Sequence, residues 1–345
     1  MKRRWIAAGL AALATGLVCL ILLLFMPAPG RAEAALSIWY AETDCSRAAM
    51  EALAARCQKE TGMQVETRGF PDESALAAAC AGERPDLLWC SHVRAFDMAR
   101  AGSLVPLPEE LAGSGAAGFC PLGARLPLLL RNTARLPQPP DDLETLLGAG
   151  EQKLLAADCW ADLLYEAVAA EGGAMSGLRS ADRENRSYVR LYNLLAQAAY
   201  DGAAVNTPPD LEALRRGELA AALLDSARLA GEADKALGVD PLPLPQGAPL
   251  RYEVLHMGFA RMSEEGNAES FLRWLCQQGR ESQTALSFGL VPLQPVGAKG
   301  AAALETTLIR LSNEAELVPL DPGADYLKNR NECEQALRLS LDLLQ

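Results

Sequence analysis

Between residues 36 and 102 the chain repeats one phrase three times: an apolar strand, a segment of helical period, then a glycine. Leu36-Ser37-Ile38-Trp39-Tyr40 reads as the opening strand. Ser46 to Thr61 places Ala49, Met50, Leu53, Ala54 and Cys57 at helical spacing, and Gly62 supplies the stop. Met63 to Thr67 alternates as a strand, and Asp72 caps a helix that runs through Ala81 to Gly82. Asp86 to Cys90 is short and nearly all apolar, as strands covered on both faces are. A helix from His92 to Ala101 ends at Gly102. This is the grammar of an open α/β sheet.

The rest of the chain keeps the mixed pattern less regularly. Arg125 to Arg131 reads as a strand in which Pro127 marks an edge or a crossing segment. A short helix over Asp141 to Leu147, a strand over Lys153 to Ala157, and a helix over Trp160 to Glu171 follow. Val189, Tyr192, Leu195, Ala196 and Ala199 stripe a long helix over Asp182 to Tyr200. Leu219 to Leu224 is a buried strand, Ser226 to Leu237 a helix, and Pro241, Pro243, Pro245 and Pro249 mark a stiff extended connection. A strand over Tyr252 to Arg261 precedes helices over Ala268 to Gln278 and Arg280 to Phe288. Gly289 to Pro292 is extended, and the remainder reads as mainly helical, closing with an apolar-striped helix over Asn331 to Leu344.

The amino terminus points to export. Lys2, Arg3 and Arg4 precede an uncharged apolar run from Trp5 to Met26, and Ala32-Glu33-Ala34 offers a small-x-small cleavage pattern. Residues 1–34 therefore read as a signal peptide or, if retained, as a membrane anchor through residues 5–26, long enough to span a bilayer with the positive end inside. Val18 before Cys19 is wrong for a lipoprotein signal. The net charge is −12; the first 34 residues carry four basic and one acidic side chain, so the remainder stands at −15. Such a body repels phosphate backbones, which excludes nucleic acid as a partner. Eight cysteines follow Cys19, with no C-x-x-C pair and only two histidines in the chain. Zinc and thioredoxin-like chemistry find no support, so no metal or cofactor is expected, and most of the thiols are expected to be small buried residues.

Ligands of open α/β sheets sit beyond the carboxyl ends of strands. That rule selects Tyr40, Glu42 and Thr43 after the first strand and Ser91 and His92 after the third. It also selects Asp158 and Trp160, then Asp225, Ser226 and Arg228, and Glu253 and His256 on the late strand. Each has a plainer alternative. Trp39 alternates with Tyr40, so one of the two is expected in the core; Trp89 and Trp274 sit in apolar patterns and are expected there too. His92 can start a helix, and Arg228 can be a solvated helix residue.

The order of elements and the local wording resemble the extracellular solute-binding proteins of bacterial ABC importers, in the branch of maltose- and oligosaccharide-binding proteins. The stretches that carry the resemblance are Leu36 to Tyr40 with Ala52 to Val65, and Arg84-Pro85-Asp86-Leu87-Leu88 followed by Ala101-Gly102-Ser103-Leu104-Val105-Pro106-Leu107. Leu126 to Thr133 is similar to the family's crossover strand, with Arg131 where a tyrosine is usual. Leu214 to Ala222, and Phe271 to Leu275 with Gln283 and Gly289-Leu290-Val291-Pro292, complete the set. The resemblance implies a two-lobed, periplasmic-binding-protein-like α/β fold of type II. Lobe one would comprise residues 36–127 plus 256–297, and lobe two residues 128–255 plus 298–345. It further implies a monomeric receptor, outside the cytoplasm, that holds a small-molecule solute between the lobes and delivers it to ABC transporter permease subunits. Carbohydrate is the solute class the resemblance favours, with Trp160 and Ser226 where sugar binders place contacts.

Only 6% of residues are aromatic, and Leu255 and His256 stand where the family has a tryptophan or glycine pair. A polyamine would suit Asp158, Asp225 and Glu253, and an anion would suit helix N-termini and Arg228. An enzyme is not expected: the chain has no G-x-S-x-G, H-E-x-x-H, P-loop or Rossmann fingerprint. The competing reading is a membrane-anchored extracytoplasmic sensor or interaction module on the same fold.

Overall fold

The computed structural model describes residues 35–113, 115–148, 155–164, 186–230, 237–244, 250–264, 266–277, 279–297, 302–321 and 326–344. The export or anchor segment over residues 1–34 lies outside the described residues. So do the first two residues of the strand expected from Lys153, most of the helix expected over 160–171, and the start of the helix expected from Asp182. No helix among the described residues is long and apolar enough to cross a membrane.

The opening repeat forms as its residues require. Strands β1 (Leu36–Ala41), β2 (Val65–Phe70) and β3 (Leu87–Ser91) run parallel, with β1 between the other two. Helices α1 (Arg47–Thr61), α2 (Glu73–Cys80) and α3 (His92–Arg100) follow them in turn. Ser46, Asp72 and Ser91 each accept a backbone N–H of the first helical turn, contacts worth about 1 kcal/mol each. Strand β2 starts two residues later than its alternation suggests, because the Thr61 hydroxyl accepts the Met63 N–H and prolongs the turn after α1.

The sheet is covered on both faces. Leu36, Ile38 and Tyr40 pack with Met50, Leu53 and Cys57 of α1, while Trp39 and Ala41 pack on the other side with Leu76 of α2 and Ala95 of α3. Trp39 and Tyr40 are therefore both core residues, at 4% and 1% exposure, where the alternation suggested one.

The strand expected over 125–131 resolves into two. Strands β4 (Phe119–Arg125) and β5 (Pro127–Asn132) are separated by Leu126 and belong to different sheets. Pro127 is not on an edge: β5 is interior to the second sheet, and proline is tolerated there as its first residue. That second sheet has the order β7-β6-β8-β5-β9, built from β6 (Leu155–Ala157), β7 (Ala204–Val205), β8 (Ala221–Asp225) and β9 (Leu237–Pro241). Its described helices up to β9 are α4 (Leu143–Gly148), α5 (Arg186–Tyr200) and α6 (Leu211–Arg216). Tight 3-10 turns at Trp160–Leu163 and Ser226–Leu229 follow β6 and β8. Of the helix expected over 226–237, the start is a single turn that ends at Ala230, residues 231–236 lie outside the described residues, and Leu237 already opens β9.

The chain returns through β10 (Arg251–Arg261), whose carboxyl half lies between β4 and β3. Helices α7 (Gly266–Leu275) and α8 (Arg280–Ser287) and the short strand β11 (Val291–Pro292) complete the first sheet's layer. Helix α9 (Ala303–Glu314), strand β12 (Glu316–Pro319) and helix α10 (Tyr326–Leu344) end the chain. Strand β12 pairs in parallel with Arg251–Val254, the amino half of β10. Leu304, Leu308, Leu337 and Leu341 join the apolar core of the second sheet, so the carboxyl-terminal helices belong with it.

Strand β10 carries Gly258 in its middle, at a register shift against β4. A β-carbon there would fall 2.1 Å from the Cys120 carbonyl oxygen, a contact that only strand separation relieves. Gly258→Ala is expected to destabilise the protein by about 3 kcal/mol, read as a lower urea midpoint. Gly82→Ala, where the nearest atom to a β-carbon is 3.9 Å away, should leave the midpoint nearly unchanged.

Candidate functional site

The two sheets face each other across a cleft of about 460 Å³. Strand ends and helix starts of the first layer supply Thr43, Asp44, Asp72, Glu73, Ser74 and Ser91 to it. Asp162 comes from the tight turn after β6, Asp225 from the end of β8, and Arg330 and Asn331 from α10. The crossing segments contribute the floor, with Arg125, Leu126 and Pro127 on one and Leu255 and Met257 on the other. Every polar group here projects from the end of a strand or the first turns of a helix, where a parallel sheet concentrates unshared backbone and side-chain donors.

Arg125 ties the floor together. Its Nη1 donates to Asp44 Oδ1 at 2.8 Å, on the first layer, and its Nε donates to Asp225 Oδ2 at 2.5 Å, on the second. Burial by itself lowers the pKa of this guanidinium, but Asp225 and Asp44 outweigh it and hold Arg125 above its ordinary value. On the far wall Arg330 donates from Nε and Nη2 to Asp162 Oδ1, at 2.9 and 2.6 Å. Burial raises the Asp162 pKa against the pull of Arg330. Burial also raises the Glu73 pKa, and the neighbouring Asp44 adds to the shift. Five carboxylates and two guanidiniums line the cleft, with no aromatic ring among the described lining residues.

Of the residues picked by the strand-end rule, Thr43, Ser91 and Asp225 reach the cleft. The others are placed elsewhere. Tyr40 is buried in the first layer's core, and Glu42 pairs with Arg47 beside it. Trp160 is wholly buried in the second layer's core and leaves no face open to a sugar. Ser226 is also fully buried: its N–H donates to the Leu126 carbonyl at 3.0 Å and its hydroxyl accepts the Leu126 N–H at 3.4 Å, so it clamps the crossing segment. Arg228 is half-exposed and ion-paired with Asp158. Glu253 lies opposite Val318 of β12, away from the cleft lining.

His92 and His256 form a buried pair, ring centroids 5.5 Å apart. His92 Nδ1 accepts the His256 backbone N–H at 3.1 Å, so Nε2 carries the proton and donates to the Leu320 carbonyl at 2.8 Å. One imidazole thus links α3, the crossing strand β10 and the segment after β12. Asp44, Asp72, Glu73, Arg125, Asp162 and Arg330 escaped the strand-end rule. Asp72 showed only as a helix cap and Arg125 only as a strand start. Arg330 reaches the cleft from the terminal helix, and no local pattern announces that. Among the described residues no cluster of His, Cys, Asp or Glu could hold a metal ion.

No family model matches the chain, and no curated protein sequence matches it. Solved structures do. The spermidine/putrescine ABC transporter substrate-binding protein PotD of Streptococcus pneumoniae superposes with a TM-score of 0.66 at 12% identity, over 89% of this chain and 99% of that one. The maltodextrin-binding protein MalE1 of L. casei gives 0.62 at 16% identity, over 90% and 98%. The GacH receptor of Streptomyces glaucescens gives 0.61 at 17% identity, over 90% and 98%. The chain has the two-lobed α/β fold of the substrate-binding proteins of ABC transporters.

Burial lowers the His92 pKa, and burial followed by the charge of His92 brings His256 down to about 4. An unfolded histidine takes its proton near pH 6.5, so between there and pH 4 the unfolded state binds the proton that folded His256 refuses. Stability from His256 is therefore full above about pH 7 and falls by about 3 kcal/mol by pH 4. The raised carboxyl groups act in the opposite sense, so the readout is a difference. The wild-type unfolding free energy, followed by urea titration, should fall over this window more steeply than that of His256→Gln.

Proposed function

We propose that the chain is an exported solute receptor that closes on a small polar solute and hands it to the permease subunits of an ABC-type importer. Residues 36–127 plus 256–297 and residues 128–255 plus 298–345 are the two units that close, pivoting where the chain crosses between sheets. The receptor works as a monomer outside the cytoplasm, without catalysis or cofactor, and residues 5–26 can hold it at the membrane face. The fold shared with ABC substrate-binding proteins supports the role, and so does the positively charged, apolar amino terminus.

The observation that carries the solute class is the charge of the cleft. Arg125 engages two of the five carboxylates, Arg330 a third, and Arg94 approaches Glu73 at 3.8 Å from outside the lining, so the lining itself carries five carboxylates against two guanidiniums. A solute bearing two or more ammonium groups would neutralise that surplus with charge-assisted hydrogen bonds. A sugar gains most from aromatic faces, and the described lining offers none. The likeness to PotD, whose name carries spermidine and putrescine, supports the amine. The second reading, a carbohydrate, draws on GacH, described in complex with acarbose, and on the maltodextrin-binding MalE1.

Calorimetric titration of the full chain with spermidine, putrescine and maltotriose separates these readings. A polyamine should bind, more weakly as salt rises, and Glu73→Gln should cost about tenfold in affinity, near 1.4 kcal/mol. Binding of maltotriose alone would establish the carbohydrate reading. A folded protein that binds none of them would overturn capture of either class and favour the anchored sensor.

A further inference from the structure

The eight described cysteines are free thiols, and two of them meet. Cys120 lies in β4 opposite Phe259 of β10, and Cys276 follows the last turn of α7, its N–H bonded to the Leu272 carbonyl at 2.9 Å. Their sulfurs are 3.7 Å apart. That is van der Waals contact, from which the sulfurs would approach to a bond of about 2.05 Å. Cys120 is buried in the apolar cluster beneath the first sheet, whereas Cys276 is half-buried at that cluster's edge.

We propose that Cys120 and Cys276 are a redox-modification site that closes to a disulfide when the chain meets an oxidising disulfide, such as oxidised glutathione or an extracytoplasmic thiol oxidase. The Cys276 thiolate attacks one sulfur of the oxidant, forms a mixed disulfide and releases the first thiol. The Cys120 thiol, losing its proton to solvent, attacks the Cys276 sulfur and expels the second. Two protein thiols are oxidised to one disulfide, and the oxidant's disulfide is reduced to two thiols. The hydrogen bond from the Cys120 thiol favours the thiolate at Cys276 and so suits Cys276 for the first attack.

The location gives the bond its consequence. The two cysteines are 156 residues apart, and every strand of the second sheet lies between them. The chain leaves the first sheet at Leu126 and comes back along β10. A bond from Cys120 to Cys276 would therefore close the loop that contains every strand of the second sheet, and neither cysteine lines the cleft. Constraining so long a loop removes much of the unfolded chain's freedom while leaving the cleft residues untouched.

The test uses the purified full chain, incubated with oxidised glutathione, alkylated with iodoacetamide and digested without reduction. A Cys120–Cys276 cross-linked peptide is expected by mass spectrometry, and the melting temperature should rise on oxidation. The rise should be absent in Cys276→Ser, whose position at the cluster edge spares the core, and cross-linking should be absent there and in Cys120→Ala. Alkylation of both thiols after oxidation of the wild type overturns the proposal. So does glutathione retained on Cys276, or a link from either cysteine to a third.

Discussion

One guanidinium holds the floor of the cleft. Arg125 is the last residue of β4, one step before the chain crosses between sheets, and it grips a carboxylate from each side. Removing one partner of a buried charge pair strands the other, at a cost of about 3–5 kcal/mol, whereas the intact pair adds little net stability over an apolar equivalent. The arrangement is better understood as a device of geometry. With Asp44 and Asp225 both bound to one side chain, the strand ends of the two sheets have a fixed meeting point, and the remaining polar groups are arrayed around it.

The fold was legible where local and tertiary demands agreed. Strands β1 and β3 are apolar because helices cover both faces, and the helices between them carry their own caps, so periodicity and punctuation read the same way. Strand β4 was missed for a physical reason. It contains Pro121 and Gly123, residues that argue against a strand, yet a β-carbon at Gly123 would fall 2.7 Å from Leu290 Cβ. The close approach of α8 and β11 requires the glycine. Strands β9 and β12 escaped for the converse reason: they are four or five residues long and owe their existence to partners, β5 and β10, that lie far away in sequence.

The candidate site was legible only in part, and the misses share a cause. A strand-end rule counts residues at or just after the end of a strand, so it captured Thr43, Ser91 and Asp225. Two of its other choices, Trp160 and Ser226, also follow strand ends but point inward, since a chain leaving a sheet must bury alternate residues as it turns. Ser226 spends both its N–H and its hydroxyl on Leu126. The acidic character of the cleft arises from residues whose local roles looked complete. Asp72 caps a helix, and the terminal helix brings in Arg330 from the far end of the chain.

In the proposed closure, what distinguishes the floor from the walls is how far each would move as the lobes turned. A rotation displaces an atom in proportion to its distance from the axis, and the axis must run through the segments where the chain crosses, at Leu126 and in β10. Contacts made at those segments can persist through the motion: Ser226 on Leu126, His92 on the His256 backbone and on Leu320, and Arg125 on its two carboxylates. Ser226, His92 and His256 are buried, and the Arg125 pairs are partly so, which suits bonds that are seldom exchanged with water. Glu73 stands on α2 and Asn331 on α10, elements that only the cleft brings together. In the proposed closure their separation is free to change, and Arg94 comes no closer to Glu73 than 3.8 Å. A solute that bridged them would add contacts only in the closed form, which is the differential affinity that the proposed receptor requires.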